Sequence, residues 1–289
     1  MTPSSSASVS ASRQPLTADA LAGLVGPGRQ LARLEVTATS PSTNTVLLDA
    51  ARREPDEWPE VSAVVTDHQT AGRGRAGRAW ATPQGAALTA SFLLRPTVPG
   101  DSLGWAPLVT GYATVMALRD AGVGAYLKWP NDVVVEAGAK AIPGWGRWRK
   151  VVGILCEMVP RSGVDDEPAI VAGIGVNVSQ SSAELPVPHA ASLATLGATR
   201  LDRVALFRSL VAHLHDAVAM WEADADLPRV HAAVESVCAS VGWDVTVAMP
   251  GGEDVKGRVT GLSDSGALLV ATRDGEREVL AGDLTVRRA

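Results

Sequence analysis

The sequence predicts an α+β fold, a mixed and largely antiparallel sheet with helices, followed by a small β-barrel. Three observations carry this reading. Strand-length apolar runs alternate with helical patterns, but without the regular βαβ repeat of a doubly wound sheet. Two long apolar runs, Val151 to Val159 and Ala169 to Val178, are separated by the polar stretch Arg161 to Glu167, which reads as a hairpin. After Gly242 the pattern changes to short strands between the turns Pro250-Gly251-Gly252, Ser263 to Gly266 and Arg273-Asp274-Gly275. Four or five short strands in so short a stretch suggest a small barrel.

The elements follow in order. Residues 1–15 are polar and rich in Ser and Ala, so a disordered tail is expected there. The main domain is expected to span 16–240 and the barrel 241–289. A short helix from Leu16 to Leu24 has Thr17 as its cap and Gly26-Pro27-Gly28 as its stop. The first strand is Leu31 to Ala38. The stretch before it is too short for the three packed helices of a helix-turn-helix domain. Ser42-Thr43-Asn44 opens a helix that runs to Arg53. Val61 to Thr66 and Ala87 to Leu94 are strands. Asp101 or Ser102 is expected to cap the next helix, whose apolar face includes Trp105, Leu108, Val109, Val115 and Leu118, and Gly122 ends it. Tyr126 to Trp129 and Val133 to Val135 flank the turn Pro130-Asn131-Asp132. A Gly/Trp-rich loop covers Ala137 to Arg149. Ser179 to Thr199 is irregular. A long helix then carries Val204, Phe207, Val211, Leu214, Val218 and Trp221 on one face, and a shorter one lies near Val230 to Val237.

Composition narrows the function. The net charge is −5 and the pI about 5.6, which disfavours a general nucleic-acid binder. Cys156 and Cys238 have no metal-ligand or CxxC spacing. No disulfide framework is implied, which suits a reducing cytoplasm. The N-terminal stretch has no apolar core of a signal peptide, and no apolar run is long enough to span a membrane.

Five segments carry candidate chemistry. Gly72-Arg73-Gly74-Arg75-Ala76-Gly77-Arg78-Ala79-Trp80 alternates glycine with arginine. Glycines let a backbone approach a ligand closely, and guanidinium forks grip phosphate or carboxylate oxygens. The same residue types also make a solvated loop that touches RNA, so both readings stand. Lys128-Trp129-Pro130-Asn131-Asp132 offers an ammonium for phosphate, an amide for adenine and a carboxylate for Mg²⁺ or ribose. It also fits a plain Pro-Asn-Asp turn. Lys150, ahead of Val151-Val152-Gly153-Ile154-Leu155-Cys156-Glu157, is placed to offset developing charge, or is an edge charge at a strand start. Gly173-Ile174-Gly175-Val176-Asn177 is too apolar for a phosphate loop, and its glycines admit a flat ligand. Ser42-Thr43-Asn44 fits an N-cap, a binding site for a polar ligand head, or both.

The order of these segments resembles biotin protein ligase, from about residue 31 to the end. Gly72 to Trp80 (GRGRxGRxW) followed by Lys128 to Asp132 (KWPND) is the most specific part. Gly282-Asp283-Leu284-Thr285-Val286-Arg287 near the C-terminus also looks like the family. The resemblance implies a catalytic domain like that of class II aminoacyl-tRNA synthetases and a Src-homology-3-like barrel. It implies activation of biotin by MgATP to biotinyl-5′-AMP, then transfer to one lysine of a biotin carboxyl-carrier domain. Such a ligase would be cytoplasmic, monofunctional, and a monomer or weak ligand-dependent homodimer, with no nucleic acid or membrane partner.

By position, the resemblance assigns Ser42, Thr43, Asn44 and Gln69 to the biotin ring. Arg73, Gly74 and Arg75 enclose the carboxylate and α-phosphate. Lys150 sits on the mixed anhydride, and Gly153 and Gly173 form the floor. Arg78, Trp80, Asn131, Asp132 and Asn177 belong to the nucleotide side, with Asp132 as a candidate magnesium ligand. Arg287 reaches the ATP from the barrel. Arg73, Arg75 and Lys150 are the expected catalytic groups. The loop Ala137 to Arg149 is longer than in many relatives, which makes Lys140 a rival to Lys150. Spacing to Gly153-Ile154-Leu155 favours Lys150. A lipoate ligase of related fold would be expected to lack GRGRxGRxW, and a biotin-dependent repressor would need the DNA-binding helices.

Overall fold

The computed structural model describes residues 13–137, 140–160, 168–223 and 228–288, with only the backbone of 287 and 288. A seven-stranded sheet has the order β1-β2-β3-β7-β6-β5-β4. Its strands are β1 (Arg33–Thr37), β2 (Ser62–Thr66), β3 (Ala87–Leu94), β4 (Ala125–Lys128), β5 (Asp132–Glu136), β6 (Trp148–Met158) and β7 (Ile170–Asn177). Only β1 and β2 run parallel; every other neighbouring pair is antiparallel. The two long apolar runs are β6 and β7, paired from Val152↔Val176 to Met158↔Ile170. Their expected turn, Arg161 to Glu167, lies outside the described residues.

The helices are α1 (Ala18–Leu21), α2 (Thr43–Arg53), α3 (Ala106–Asp120), α4 (Arg203–Ala223) and α5 (Pro228–Ser236). Thr17 caps α1 through its side chain, and Ser42 caps α2. The expected cap of α3 is not there. The chain enters it through a 3₁₀ turn, Gly100–Trp105, and no side chain caps either segment. Pro107, at the start of α3, needs no donor there, so the turn substitutes for Asp101 or Ser102.

Strand alternation divides the sheet faces. Ala63, Val65, Phe92, Leu94, Ala172 and Ile174 join the main core with α3 and α4. Val64, Leu93 and Val171 point to the opposite face, where Leu47 and Ala51 of α2 and Trp58 cover them. Further along the same face, the period of two brings up Thr89 and Ser91 of β3 and Gly173 and Gly175 of β7. This small and polar half of the face is not covered by α2's apolar cluster, and it becomes the floor of the site.

A buried ion pair ties the N-terminal stretch to this frame. Arg203 Nη1 lies 2.8 Å from Asp67 Oδ1, with both side chains almost fully buried. The Leu16 N–H donates to Asp67, and Arg203 Nη2 donates to the Gln14 carbonyl. Arg13 pairs with Glu184 at 2.8 Å. The chain is therefore held from Arg13 on, inside the stretch that composition assigns to a tail. Breaking a buried pair strands a charge, so Asp67→Ala is expected to cost about 3–5 kcal/mol. A thermal midpoint close to that of the parent would contradict this.

The C-terminal sheet is antiparallel, in the order β11-β10-β9-β8-β12. Its strands are β8 (Asp244–Ala248), β9 (Val255–Leu262), β10 (Leu268–Thr272), β11 (Gly275–Val279) and β12 (Asp283–Arg288). Two buried tryptophans dock it: Trp105 Nε1 donates to the Asp264 carbonyl at 2.8 Å and Trp129 Nε1 to that of Gly266 at 3.1 Å. Among the described residues, no helix is long and apolar enough to cross a membrane.

Candidate active site

Ser42, Thr43, Asn44, Gln69, Arg73, Gly74, Arg75, Arg78, Trp80, Asn131, Asp132, Lys150, Gly153, Gly173 and Asn177 all line one cavity of about 550 Å³. The side chain of Arg287 lies outside the described residues. A larger recess, about 740 Å³, lies at the C-terminal end of α3 and the start of α4 and contains none of these motifs.

At one end, helix α2 delivers its first residues onto the polar floor. Gln69 Oε1 accepts from the Thr43 N–H at 2.8 Å and from its hydroxyl at 3.2 Å. This leaves the Gln69 Nε2 group to donate elsewhere. Asn44 is a buried junction. Its Nδ2 donates to the Leu155 carbonyl (3.0 Å) and to Glu157 Oε2 (2.8 Å), while Oδ1 accepts from Ser91 at 2.6 Å. Its amide is thus committed to protein partners, and it packs directly against Gly173. Ser91 and Glu157 were not singled out from sequence. The available signal for Ser91 is a hydroxyl in the middle of an apolar strand.

The glycine–arginine run closes on itself. The Gly74 N–H donates to the Arg78 carbonyl at 2.7 Å and that of Trp80 to the Gly72 carbonyl at 2.9 Å. Each arginine has its own anchor. Arg73 Nη2 meets Glu157 Oε2 on β6 at 2.9 Å. Arg75 Nη1 donates to Asn131 Oδ1 at 3.0 Å, and Asn131 in turn donates to the Ile154 carbonyl at 2.7 Å. Arg78 forms a two-point pair with Asp283 of β12, at 2.9 and 3.2 Å. The run therefore bridges the main sheet, the β4–β5 turn and the C-terminal sheet.

Trp80 lies flat on the floor. Gly153 and Gly175 face each other in the β6–β7 register. A Cβ at Gly153 would come 2.9 Å from the indole, and one at Gly175 would come 2.5 Å from it. Sequence reading pairs Gly153 with Gly173 as the floor; beneath the indole the partner is Gly175, while Gly173 underlies Asn44. Gly175→Ala is expected to displace Trp80, because a Cβ cannot come within 2.5 Å of the indole. A near-ultraviolet circular dichroism spectrum identical to that of the parent would contradict this placement.

The centre of the site is a buried charge cluster. Lys150 Nζ lies 2.5 Å from Asp132 Oδ1, and Lys128 Nζ lies 3.7 Å from Oδ2. Burial opposes ionisation of Asp132, but Lys150 and Lys128 together hold its carboxyl below the ordinary value. Burial pulls the Lys128 ammonium down, against the pull of Asp132 and with help from Lys150. Lys140 does not line the cavity; its carbonyl accepts from Arg149 at 2.6 Å. Asn177 Nδ2 donates to the Ala191 carbonyl, and its Oδ1 accepts from Gln180. It thereby fixes the irregular segment that supplies His189 and Ala190 to the cavity wall. His189 has no sequence signal of its own. Asp283 and Thr285 belong to a segment quoted from sequence for its resemblance, in which Arg287 alone was given a role.

Comparison with known proteins supplies the family. Residues 36–177 match the biotin/lipoate A/B protein ligase family, and 242–286 match the biotin protein ligase C-terminal domain. The biotin--[acetyl-CoA-carboxylase] ligase of Mycobacterium tuberculosis is 34% identical over 268 residues, covering 90% of this chain and 91% of that one. The chain belongs to the biotin protein ligase family. It is accordingly an enzyme, an ATP-dependent ligase. The bifunctional ligase/repressor BirA of Escherichia coli is 29% identical over 251 residues, covering 86% of this chain and 72% of that one. The biotin protein ligase from Aquifex aeolicus, solved in complex with biotin and ATP, aligns with a TM-score of 0.69 and 27% identity, over 90% of this chain and all of that one. Among biotin protein ligases, then, this chain has a mixed sheet with helices and a C-terminal antiparallel sheet.

Proposed function

We propose that this ligase activates biotin with MgATP to biotinyl-5′-AMP and transfers the biotinyl group to one lysine of a biotin carboxyl-carrier domain, as in an acetyl-CoA carboxylase. The observation that carries this is the polarity of the cavity that holds the motifs. Uncharged donors and acceptors at Thr43 and Gln69, fixed cations, and an indole on a glycine floor all line it. A ureido ring, a carboxylate and a nucleotide need those three environments in one space.

In the first step, a biotin carboxylate oxygen attacks the α-phosphorus and pyrophosphate leaves. Thr43 and Gln69 bind the ring, with Ser42 holding the start of α2. Asn44 and Gly173 shape that end. Arg73, Arg75 and Lys150 lower the repulsion between two anions and stabilise charge on the five-coordinate phosphorus. Gly74, with no side chain, lets the run approach the phosphate closely, and Gly153 keeps the floor flat. Arg78, Asn131, Asp132, Asn177 and Arg287 serve the nucleotide side, and Trp80 serves the adenine. In the second step, the neutral acceptor amine attacks the acyl carbon and AMP departs with the bonding electron pair.

Magnesium enters as part of MgATP. Both oxygens of Asp132 face ammonium groups, which does not suit a resident ion, and a Mg²⁺ site of one or two carboxylates plus substrate phosphates is common. The same reading includes the class II synthetase-like catalytic domain over 16–240, the Src-homology-3-like barrel over 241–289, and a cytoplasmic location. Incubation of the chain with biotin and labelled MgATP should yield biotinyl-AMP and one equivalent of pyrophosphate. Pyrophosphate release that ignored biotin would overturn the proposal.

A further inference from the structure

The loop between β5 and β6 has no role in the scheme above, yet it reaches three parts of the site. Residues 142–146 form a tight turn. The Trp145 N–H donates to the Ile142 carbonyl at 2.9 Å, and that of Gly146 donates there at 2.8 Å. Gly144 and Gly146 adopt positive φ, +75° and +56°, which only glycine takes without strain. The Gly144 carbonyl accepts from the Val286 N–H of β12 at 2.9 Å. The turn is therefore sewn to the C-terminal sheet and presents one large side chain, Trp145, to the cluster.

That indole has two partners. Its face lies 4.6 Å from Lys128 Nζ and stacks on the His189 ring at 4.1 Å, with 9° between planes. Lys128 is only 4% exposed. Among the described residues its one ion-pair partner, Asp132, is shared with the much closer Lys150, and Asp283 adds a more distant attraction. A buried ammonium that shares its counterion gains from a π face. His189 belongs to the cavity wall, and its carbonyl accepts from the Lys150 N–H at 2.8 Å.

We propose that Trp145 is a positioning residue for the nucleotide half of the reaction, holding the Lys128 ammonium and the His189 wall in place and linking them to the C-terminal sheet. The proposal rests on the function given above. Trp145 touches no reacting atom in this scheme; it acts through the His189 wall and through Lys128, whose ammonium is here given to the ATP phosphates. Its removal should therefore weaken ATP and spare biotin.

The test uses the full chain, with Trp145→Leu and Trp145→Phe. Leucine keeps apolar bulk and loses the π face; phenylalanine keeps a π face. For adenylate formation, Trp145→Leu should raise KM for MgATP roughly tenfold or more, leave KM for biotin within about twofold, and be largely rescued in Trp145→Phe. Equal values for the two variants, or parallel rises in both KM values, would overturn the proposal. Should Trp145→Leu fail to fold, fluorinated tryptophans at position 145 weaken the π face without changing its shape. KM for MgATP should then climb with each added fluorine, and a flat series would overturn the role. Absence of biotin-dependent turnover in the unaltered chain would contradict the function itself. The MgATP dissociation constants of the same proteins would still decide the role of Trp145.

Discussion

Lys150→Ala is expected to lower biotinyl-adenylate formation by about 10²–10³-fold, the cost of removing one preorganised charge from a transition state, while Lys140→Ala leaves the rate unchanged. Lys140 lies within the long loop and Lys150 just after it; the loop's length made Lys140 a rival, and sequence spacing favoured Lys150. The geometry separates them. The Lys150 ammonium lines the cavity and is held by Asp132 Oδ1 at 2.5 Å. Lys140 is exposed and outside the cavity. The backbone of Lys150 is fixed on both sides, donating to the His189 carbonyl and accepting from the Ala191 N–H, each at 2.8 Å. A charge anchored in this way costs little reorganisation when the phosphorus becomes five-coordinate. Single-turnover adenylation rates check the pair, and equal losses in the two variants would remove Lys150 from its assigned place.

The second large effect is expected at Gly173. A Cβ there would overlap the amide of Asn44, which cannot simply turn away. That amide is held by Leu155, Glu157 and Ser91. Moving it disturbs Glu157, which also holds Arg73. One methyl group should thus disrupt both the biotin end and the first arginine of the run. Gly173→Ala is expected to weaken biotin binding by about 10²-fold, the scale of a 1 Å misplacement. Titration calorimetry with biotin checks it, and a dissociation constant within twofold of the parent would contradict the packing argument.

Much of this was legible in the sequence, for particular reasons. β3 was placed by its alternation, with Leu88, Phe92 and Leu94 on one face, and β7 within a residue because it is a continuous apolar run bounded by polar segments. Thr17, Ser42 and the glycines at 26, 28 and 122 announced helix ends through elementary cap chemistry. The cap of α3 was misread because a 3₁₀ turn leaves no composition signal distinct from a capped helix start. The candidate site residues were found as motifs, but their pairings were not. That Trp80 would lie on Gly175, or that Arg78 would reach Asp283 across 205 positions, depends on register and domain docking. His189 and Glu157 escaped notice because a single polar residue carries no local pattern. Their placement comes from contacts with residues far away in the chain.

One cavity is proposed to build a biotin adenylate and hand the acyl group to a protein lysine. A transfer assay offers the chain MgATP, a purified carboxyl-carrier domain and either labelled biotin or labelled lipoate. Label is expected on a single carrier lysine with biotin, in an ATP-dependent way, and none with lipoate. Transfer of lipoate without transfer of biotin would contradict it.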